Sequence, residues 1–339
     1  MKIKILFNGF RHSHIYGLYK KALEDERFQI VGCIEENEDA RASASGFLGA
    51  VFSDNNYAEL LQGDVDVVAI GNAYGERGKN IIAALKAGKH VIADKPICTD
   101  ILELKEIERL SSEKRLSVVC MLDLRYIPQV IEAKKILDSG ELGEIRNVSF
   151  GGQHYLDYGK RPGWYYEKGM HGGTLNDLAI HGIDLVRMLT GQEFTSVDSA
   201  RVWNSYATEQ KEFKDSAVFM ARLDGGASVM ADVSYSAPSQ VFSMPTYWEF
   251  RFWCERGMLT FSYTLPRVTV YKNGEDAPRE IECSSSESSW LCDLARVLKE
   301  GDGGFTINTL KSCETALRIQ AIAEREDENL TKGSLQYEA

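Results

Sequence analysis

The chain has 339 residues, more than one growing hydrophobic core supports, so two domains are expected. Hydrophobic residues make up 44% and charged residues 26%, the balance of a soluble globular protein, and no apolar run is long enough to span a bilayer. A net charge of -11 argues against a general affinity for nucleic acid, since phosphates would be repelled over most of the surface.

The acidic excess is partly local. Glu35, Glu36, Glu38 and Asp39 cluster, as do Glu324, Glu326, Asp327 and Glu328, and both groups read as solvated faces. The strand-like start over residues 1–7 is too short for a signal peptide, so the cytoplasm is the expected location. Seven cysteines without C-x-x-C spacing fit core residues in a reducing compartment better than disulfides or zinc ligands.

In chain order, the first third alternates strands and helices. Strands are expected over 3–7, 28–34, 65–70, 90–93 and 116–122, and helices over 13–25, 40–48, 76–87 and 101–113. Gly88 stands where a left-handed helix end is expected. Strands separated by helices of this length imply right-handed crossovers and a doubly wound parallel sheet. After a helix over 128–138 and a turn over 140–143, strands dominate: 146–150, 196–202, 215–223, 227–235, 248–254, 257–262 and 267–272. Several alternate apolar and polar residues, as an antiparallel sheet with one covered face does. Helices over 291–300 and 310–325 close the chain. The predicted architecture is α/β: a dinucleotide-binding Rossmann domain over 1–122, then an α+β domain over 123–339 with a large, mostly antiparallel open sheet.

A dinucleotide site needs a tight turn after the first strand and a helix N-terminus aimed at the pyrophosphate. The turn here is Phe7-Asn8-Gly9-Phe10-Arg11-His12-Ser13-His14. Of the three fingerprint glycines only Gly9 remains, with Phe7 and His12 in the other places. Arg11 and His12 are placed to meet the pyrophosphate instead. Glu35, ending the second strand, suits the adenosine ribose and repels a 2′-phosphate, which favours NAD while leaving NADP open. A metal at His12 and His14 is disfavoured, because i,i+2 side chains on a helix face apart; no metal site is expected.

The segment from Gly172 to Gly191 reads as one helix, capped by Thr174 or Asn176 and ended by Gly191. Asp177, His181 and Asp184 stand at i, i+4 and i+7, so they should share one face. A histidine flanked by carboxylates can take a hydroxyl proton as hydride leaves the carbon. Lys95 follows a buried strand in Asp94-Lys95-Pro96, at the carboxyl-end crevice where such folds bind ligands, and can polarise the reacting oxygen. Pro96 restrains the backbone there. Trp164, Tyr165, Tyr166 and His154 are candidate substrate contacts.

These segments resemble the Gfo/Idh/MocA oxidoreductases, nearly over the whole length. The resemblance is carried by Ala84-Leu85-Lys86-Ala87-Gly88-Lys89-His90-Val91 leading into Asp94-Lys95-Pro96, by Arg125-Tyr126, by the segment from Gly140 to Ile145, and by Gly172-Gly173 through Asp177, His181, Asp184 and Gly191. It implies NAD(P)-linked redox chemistry on a sugar, cyclitol or related polyol, and a homodimer or homotetramer formed through the C-terminal sheet. Lys95, Asp177 and His181 take the family's catalytic positions. The implied cofactor contacts add Asn72, Asp94 and Lys95 to Gly9, Phe10, Arg11, His12 and Glu35; the implied substrate contacts are Lys95, Arg125, His154, Trp164, Asp177 and His181. The sequence departs from the pattern at the glycine turn, at Asn72-Ala73 and at Asp123. Two other readings remain compatible: a non-redox enzyme using transient oxidation, and a regulatory or binding protein without redox activity.

Overall fold

A computed structural model describes residues 2–285 and 288–329, with side chains to 325. The side chains of Glu326, Asp327 and Glu328 lie outside the described residues. The first unit contains β1 (Ile3–Asn8), α1 (Ser13–Glu24), β2 (Phe28–Ile34), α2 (Glu38–Leu48), α3 (Tyr57–Leu61), β3 (Val67–Ile70), α4 (Tyr74–Lys86), β4 (His90–Asp94), α5 (Ile101–Lys114) and β5 (Val118–Met121). Its five strands are parallel, in the order β2-β1-β3-β4-β5.

The strands are buried on both faces, and period-two alternation sorts their side chains. Ile5, Phe7, Val67, Ala69, Ile92, Val119 and Met121 pack with α1. Leu6, Val68, Ile70, Val91, Ala93, Val118 and Cys120 pack with α4 and α5. Local signals fix the helix ends: Asp100 caps α5 through the amides of Leu102 and Glu103, and Gly88 follows α4 at φ +77°.

The second unit contains α6 (Pro128–Asp138), β6 (Ile145–Gln153), α7 (Ile180–Thr190), β7 (Phe194–Trp203), β8 (Ser216–Leu223), β9 (Ser228–Ser234), β10 (Glu249–Cys254), β11 (Gly257–Ser262), β12 (Arg267–Lys272), β13 (Arg279–Glu282), α8 (Trp290–Glu300) and α9 (Phe305–Asn329). The eight-stranded sheet runs β13-β12-β11-β10-β6-β9-β8-β7 and is antiparallel except where β6 pairs with β9. One face is covered: Val148, Phe150, Phe219, Val229 and Phe250 pack in the same core as residues of α7 and α9. The opposite face exposes Met220, Met230, Trp253 and Tyr271.

Two elements were not expected. A box of Asn56 and Glu59 nucleates the short α3, and the charged Arg279-Glu280-Ile281-Glu282 forms an edge strand, β13. The C-terminal α8 returns to the first unit, where Trp290, Leu291, Leu294 and Val297 join Ile5, Phe7 and Val119 in one core cluster.

Candidate active site

The carboxyl ends of β1, β3 and β4 converge beneath the second unit. Gly9 has φ +87°, and a Cβ there would lie 2.4 Å from the backbone nitrogen of Asn72. The turn thus needs glycine twice, for its conformation and for the approach of the β3 loop. Gly9→Ala is expected to cost about 1–3 kcal/mol of stability, read by denaturant unfolding; an unchanged midpoint would show that the loop gives way freely. Beside it, Arg77 of α4 is fully buried. It donates to Asn72 O (2.8 Å), Lys95 O (2.7 Å), Pro96 O (3.0 Å) and Asp94 Oδ2 (2.8 Å). One side chain therefore ties the β3 loop to the Asp94-Lys95-Pro96 segment. Its sequence signal was an arginine on the apolar face of α4, one turn from Ile81.

His12 and His14 do not face apart. His12 is extended before α1 while His14 lies in its first turn, so both rings turn to Asp94. Their Nδ1 atoms lie 2.7 Å and 3.0 Å from its two oxygens. The premise that i,i+2 histidines diverge fails because only one of them is helical, and three potential metal ligands stand within 4.8 Å of one another. Burial opposes a charge on Asp94, but Arg77, His12 and His14 hold its carboxyl well below the usual range. The carboxylate can only accept, so each Nδ1 carries the hydrogen. Burial pulls His12 down to about 4. On His14 burial works the same way, but Asp94 and Asp123 outweigh it and raise its pKa.

Lys95 is 3% exposed and donates from Nζ to Asp177 Oδ1 (2.6 Å) and Asp177 O (3.1 Å). Asp177 also accepts from the Tyr235 hydroxyl, which in turn lies 2.9 Å from Nε2 of His171. Burial resists ionisation of Asp177, but Lys95 and His171 hold it well below the carboxylate range. Lys95, Asp177, His154 and His181 line one cavity of ≈ 260 Å³ with His12, Ser13 and His14. A second cavity, ≈ 400 Å³, runs over Arg11, His12 and Ser13 and shares His154 and Tyr165 with the first. A further groove, ≈ 520 Å³, lies on the open face of the second sheet, around Met220 and Met230 and away from Lys95.

The segment from Gly172 to Gly191 is not one regular helix. Leu175–Ala179 winds as a π-helix before α7 begins, and neither Thr174 nor Asn176 caps it. The wider turn breaks the i, i+4, i+7 register. Asp177 and His181 both reach the cavity but share no hydrogen bond, whereas Asp184 turns away to Arg125 and Ser312. Nδ1 of His181 is buried without a partner among the described residues. Burial, then the charges of Lys95, His14 and His154, push the His181 pKa well down.

Several expected contacts move elsewhere. Arg125, expected to contact substrate, does not line these cavities: it pairs in bidentate fashion with Asp184. Trp164 is core, 3% exposed, edge-to-face with Tyr74 and tilted against Tyr165, and Tyr166 packs on Phe213; only Tyr165 and His154 of the four candidates line these cavities. Phe10 buries its ring with Phe7, Tyr19 and Phe52 and gives its N–H to Glu35. Glu35 also accepts from Asn37 N (2.8 Å), so the carboxylate expected on a ribose braces the turn itself. Asp94 is fully buried under Arg77, His12 and His14 and offers the cofactor no free face.

The buried histidines set the pH dependence of stability. His12 (about 4), His154 (about 3) and His181 are all depressed by burial. The unfolded chain therefore binds more protons than the folded one below the free histidine pKa, and stability falls as pH drops from ~6.5. Each such histidine contributes a slope of up to about 1.4 kcal/mol per pH unit. His14, raised, acts in the opposite sense. Urea unfolding at pH 7, 6 and 5 is expected to show a steep net loss, and a flat profile would refute the neutral buried state.

The parallel sheet with its glycine turn, joined to an open sheet across a Lys-Asp-His pocket, defines a two-domain protein of the NAD-binding Rossmann class. Sequence comparison makes this specific. The model for the oxidoreductase family with an NAD-binding Rossmann fold matches residues 10–122, and that for the GFO/IDH/MocA C-terminal domain matches residues 130–260. The chain belongs to the Gfo/Idh/MocA oxidoreductase family.

It is similar to a levoglucosan dehydrogenase of Pseudarthrobacter phenanthrenivorans, 31% identical over 49% of this chain and 43% of that protein. It is also similar to the scyllo-inositol 2-dehydrogenase (NAD(+)) of Bacillus subtilis, 30% identical over 55% and 54% of the two chains. The match thus spans about half the length of these curated relatives. Among solved structures, an aldose-aldose oxidoreductase from Caulobacter crescentus superposes with a TM-score of 0.80 at 18% identity, covering 96% of this chain and 98% of that one.

The residues present fit a dinucleotide. No acidic residue stands in the first turn of α1 and no side chain caps it, which leaves a helix N-terminus open to phosphate above the Gly9 turn. Oδ1 of Asn72, packed on Gly9, is buried without a partner among the described residues.

Proposed function

We propose that the chain is an NAD-dependent dehydrogenase or reductase acting on a hydroxyl or carbonyl carbon of a sugar, cyclitol or related polyol. One observation carries this reading: Lys95, fixed by Asp177, and His181, whose Nδ1 has no partner among the described residues, line the same cavity at the strand ends. The Gly9 turn, with Arg11, His12 and Asn72, would hold NAD, which would supply the hydride acceptor or donor. The rest is done by the chain. A lysine ammonium has three N–H donors; Asp177 takes two through its carboxylate and its carbonyl, and the third polarises the substrate oxygen. His181, kept neutral by burial, takes the hydroxyl proton. Asp177 positions Lys95 rather than the imidazole.

Exposed Glu36 beside Glu35 opposes a 2′-phosphate, which favours NAD over NADP. Arg77 donates to the same Asp94 oxygen as His12, so the His12-His14-Asp94 cluster serves the nucleotide turn rather than a metal. No helix among the described residues is long and apolar enough to cross a membrane; cytoplasmic location is part of the proposal. So is the division at 122/123, with α8 packing across it. So is a homodimer or homotetramer through the open sheet face, where Met220 pairs with Met230. Met230→Glu should convert the oligomer to monomer in sedimentation, and a monomeric wild type would refute the assembly.

Titration of NAD and NADP by tryptophan fluorescence, followed by a sugar and polyol panel read by NADH absorbance, tests the function. Micromolar NAD binding with NADH formation is the expected result. Product formation without net NADH would replace it with transient oxidation, and no binding at millimolar cofactor would replace it with a binding protein.

A further inference from the structure

Among the described residues, Arg161 lines the redox pocket without a carboxylate in direct ion pair. Lys95 is paired with Asp177, and Lys160 lies 3.6 Å from Asp157. Arg161 is half-buried, stands over the Tyr165 ring at 5.0 Å, and lines both cavities. Its partners are neutral: Nε donates to Leu156 O (2.8 Å), Nη2 to Tyr155 O (3.0 Å) and Nη1 to the Tyr165 hydroxyl (3.3 Å). Among the described residues no carboxylate forms an ion pair with it.

A guanidinium has five N–H donors. Three are used, and the two that remain sit one on Nη1 and one on Nη2. Each terminal nitrogen thus keeps one donor, the number a bidentate carboxylate contact requires. A cation held in place by backbone carbonyls and half removed from water, without a counter-ion, is complete only when the ligand brings the anion. Tyr165, Tyr235, Tyr74 and Asp177 act on Arg161, and Arg161 acts on His154 and Tyr166; Tyr165, Tyr235, Tyr74, Asp177 and His154 line the Lys95 cavity.

We propose that Arg161 binds a carboxylate of the substrate, so that the pocket takes an acidic sugar, of the uronate or aldonate class, in preference to a neutral one. This rests on the redox reading of the pocket. The other source of anion is the cofactor pyrophosphate, since the second cavity also borders Arg11.

Calorimetric titration of the NAD-loaded protein with D-glucuronate and D-galacturonate, against D-glucose and D-galactose, tests the proposal. The wild type is expected to bind at least one uronate about 10-fold or more tighter than its neutral counterpart, the scale of a charged hydrogen-bonded pair. Arg161→Gln should bring that ratio close to one, and Arg161→Lys should keep part of it, having the charge without the fork. NAD affinity should be retained in Arg161→Gln.

Equal wild-type affinity for acidic and neutral sugars overturns the proposal. So does an Arg161→Gln variant that keeps the uronate preference but loses NAD affinity, which would assign Arg161 to the pyrophosphate. If Arg161→Gln does not fold, the wild-type ratio and Arg161→Lys decide. A uronate preference without NADH formation from any sugar would leave this inference standing and remove the redox reading.

Discussion

Lys95→Met is expected to abolish turnover and to cost about 3–5 kcal/mol of stability, the penalty for leaving one member of a buried ion pair. The pair lies in the core: Lys95 and Asp177 are 3% and 2% exposed. Without the ammonium, the Asp177 carboxylate keeps only the Tyr235 hydroxyl and the more distant His171. Adding Asp177→Leu to Lys95→Met removes the orphaned charge and should recover most of the stability, since apolar replacements of a buried pair are often neutral. Turnover should not return. Denaturant unfolding of both variants beside wild type separates the two roles. A single variant as stable as wild type would mean that the pair is not desolvated.

His181→Ala should show the opposite balance. Turnover is expected to fall about 10²–10⁴-fold, the usual contribution of a positioned acid/base group, with a stability change under roughly 2 kcal/mol. The small structural cost follows from what the ring lacks. Its Nδ1 has no partner among the described residues, and its ring contact is the edge of Trp248 at 5.5 Å. An imidazole whose Nδ1 makes no hydrogen bond among the described residues adds little polar stabilisation to the fold, and its removal also takes away one neutral histidine that acid must charge. Near-normal turnover would take His181 out of the mechanism.

Much of this site was legible because its placement follows a rule of the fold. Parallel strands gather their carboxyl ends at one crevice, so a lysine directly after β4 had to stand there whatever its partners. The alternation of strand and helix patterns located every strand of the first sheet within a few residues. The partners were a different matter. Lys95 and Asp177 are 82 residues apart, and Tyr235 is 58 residues beyond Asp177. Periodicity speaks only of neighbours along one element. Even there it misled at Asp184, because a π-turn adds a residue that no spacing rule registers, and at His14, because His12 precedes the helix instead of belonging to it. The edge strand β13 escaped for a related reason: its charges, suited to an unpaired edge, hide the apolar period.

The return of α8 to the first sheet has a consequence for biosynthesis. Ile5, Phe7 and Val119 leave the ribosome well before the helix that shares their cluster, with Trp290 and Leu294. Until then the nascent nucleotide half carries an uncovered apolar flank. Its completion therefore waits on α8; a fragment ending at residue 122 lacks that wall, and a fusion joining 288–303 to it would supply it.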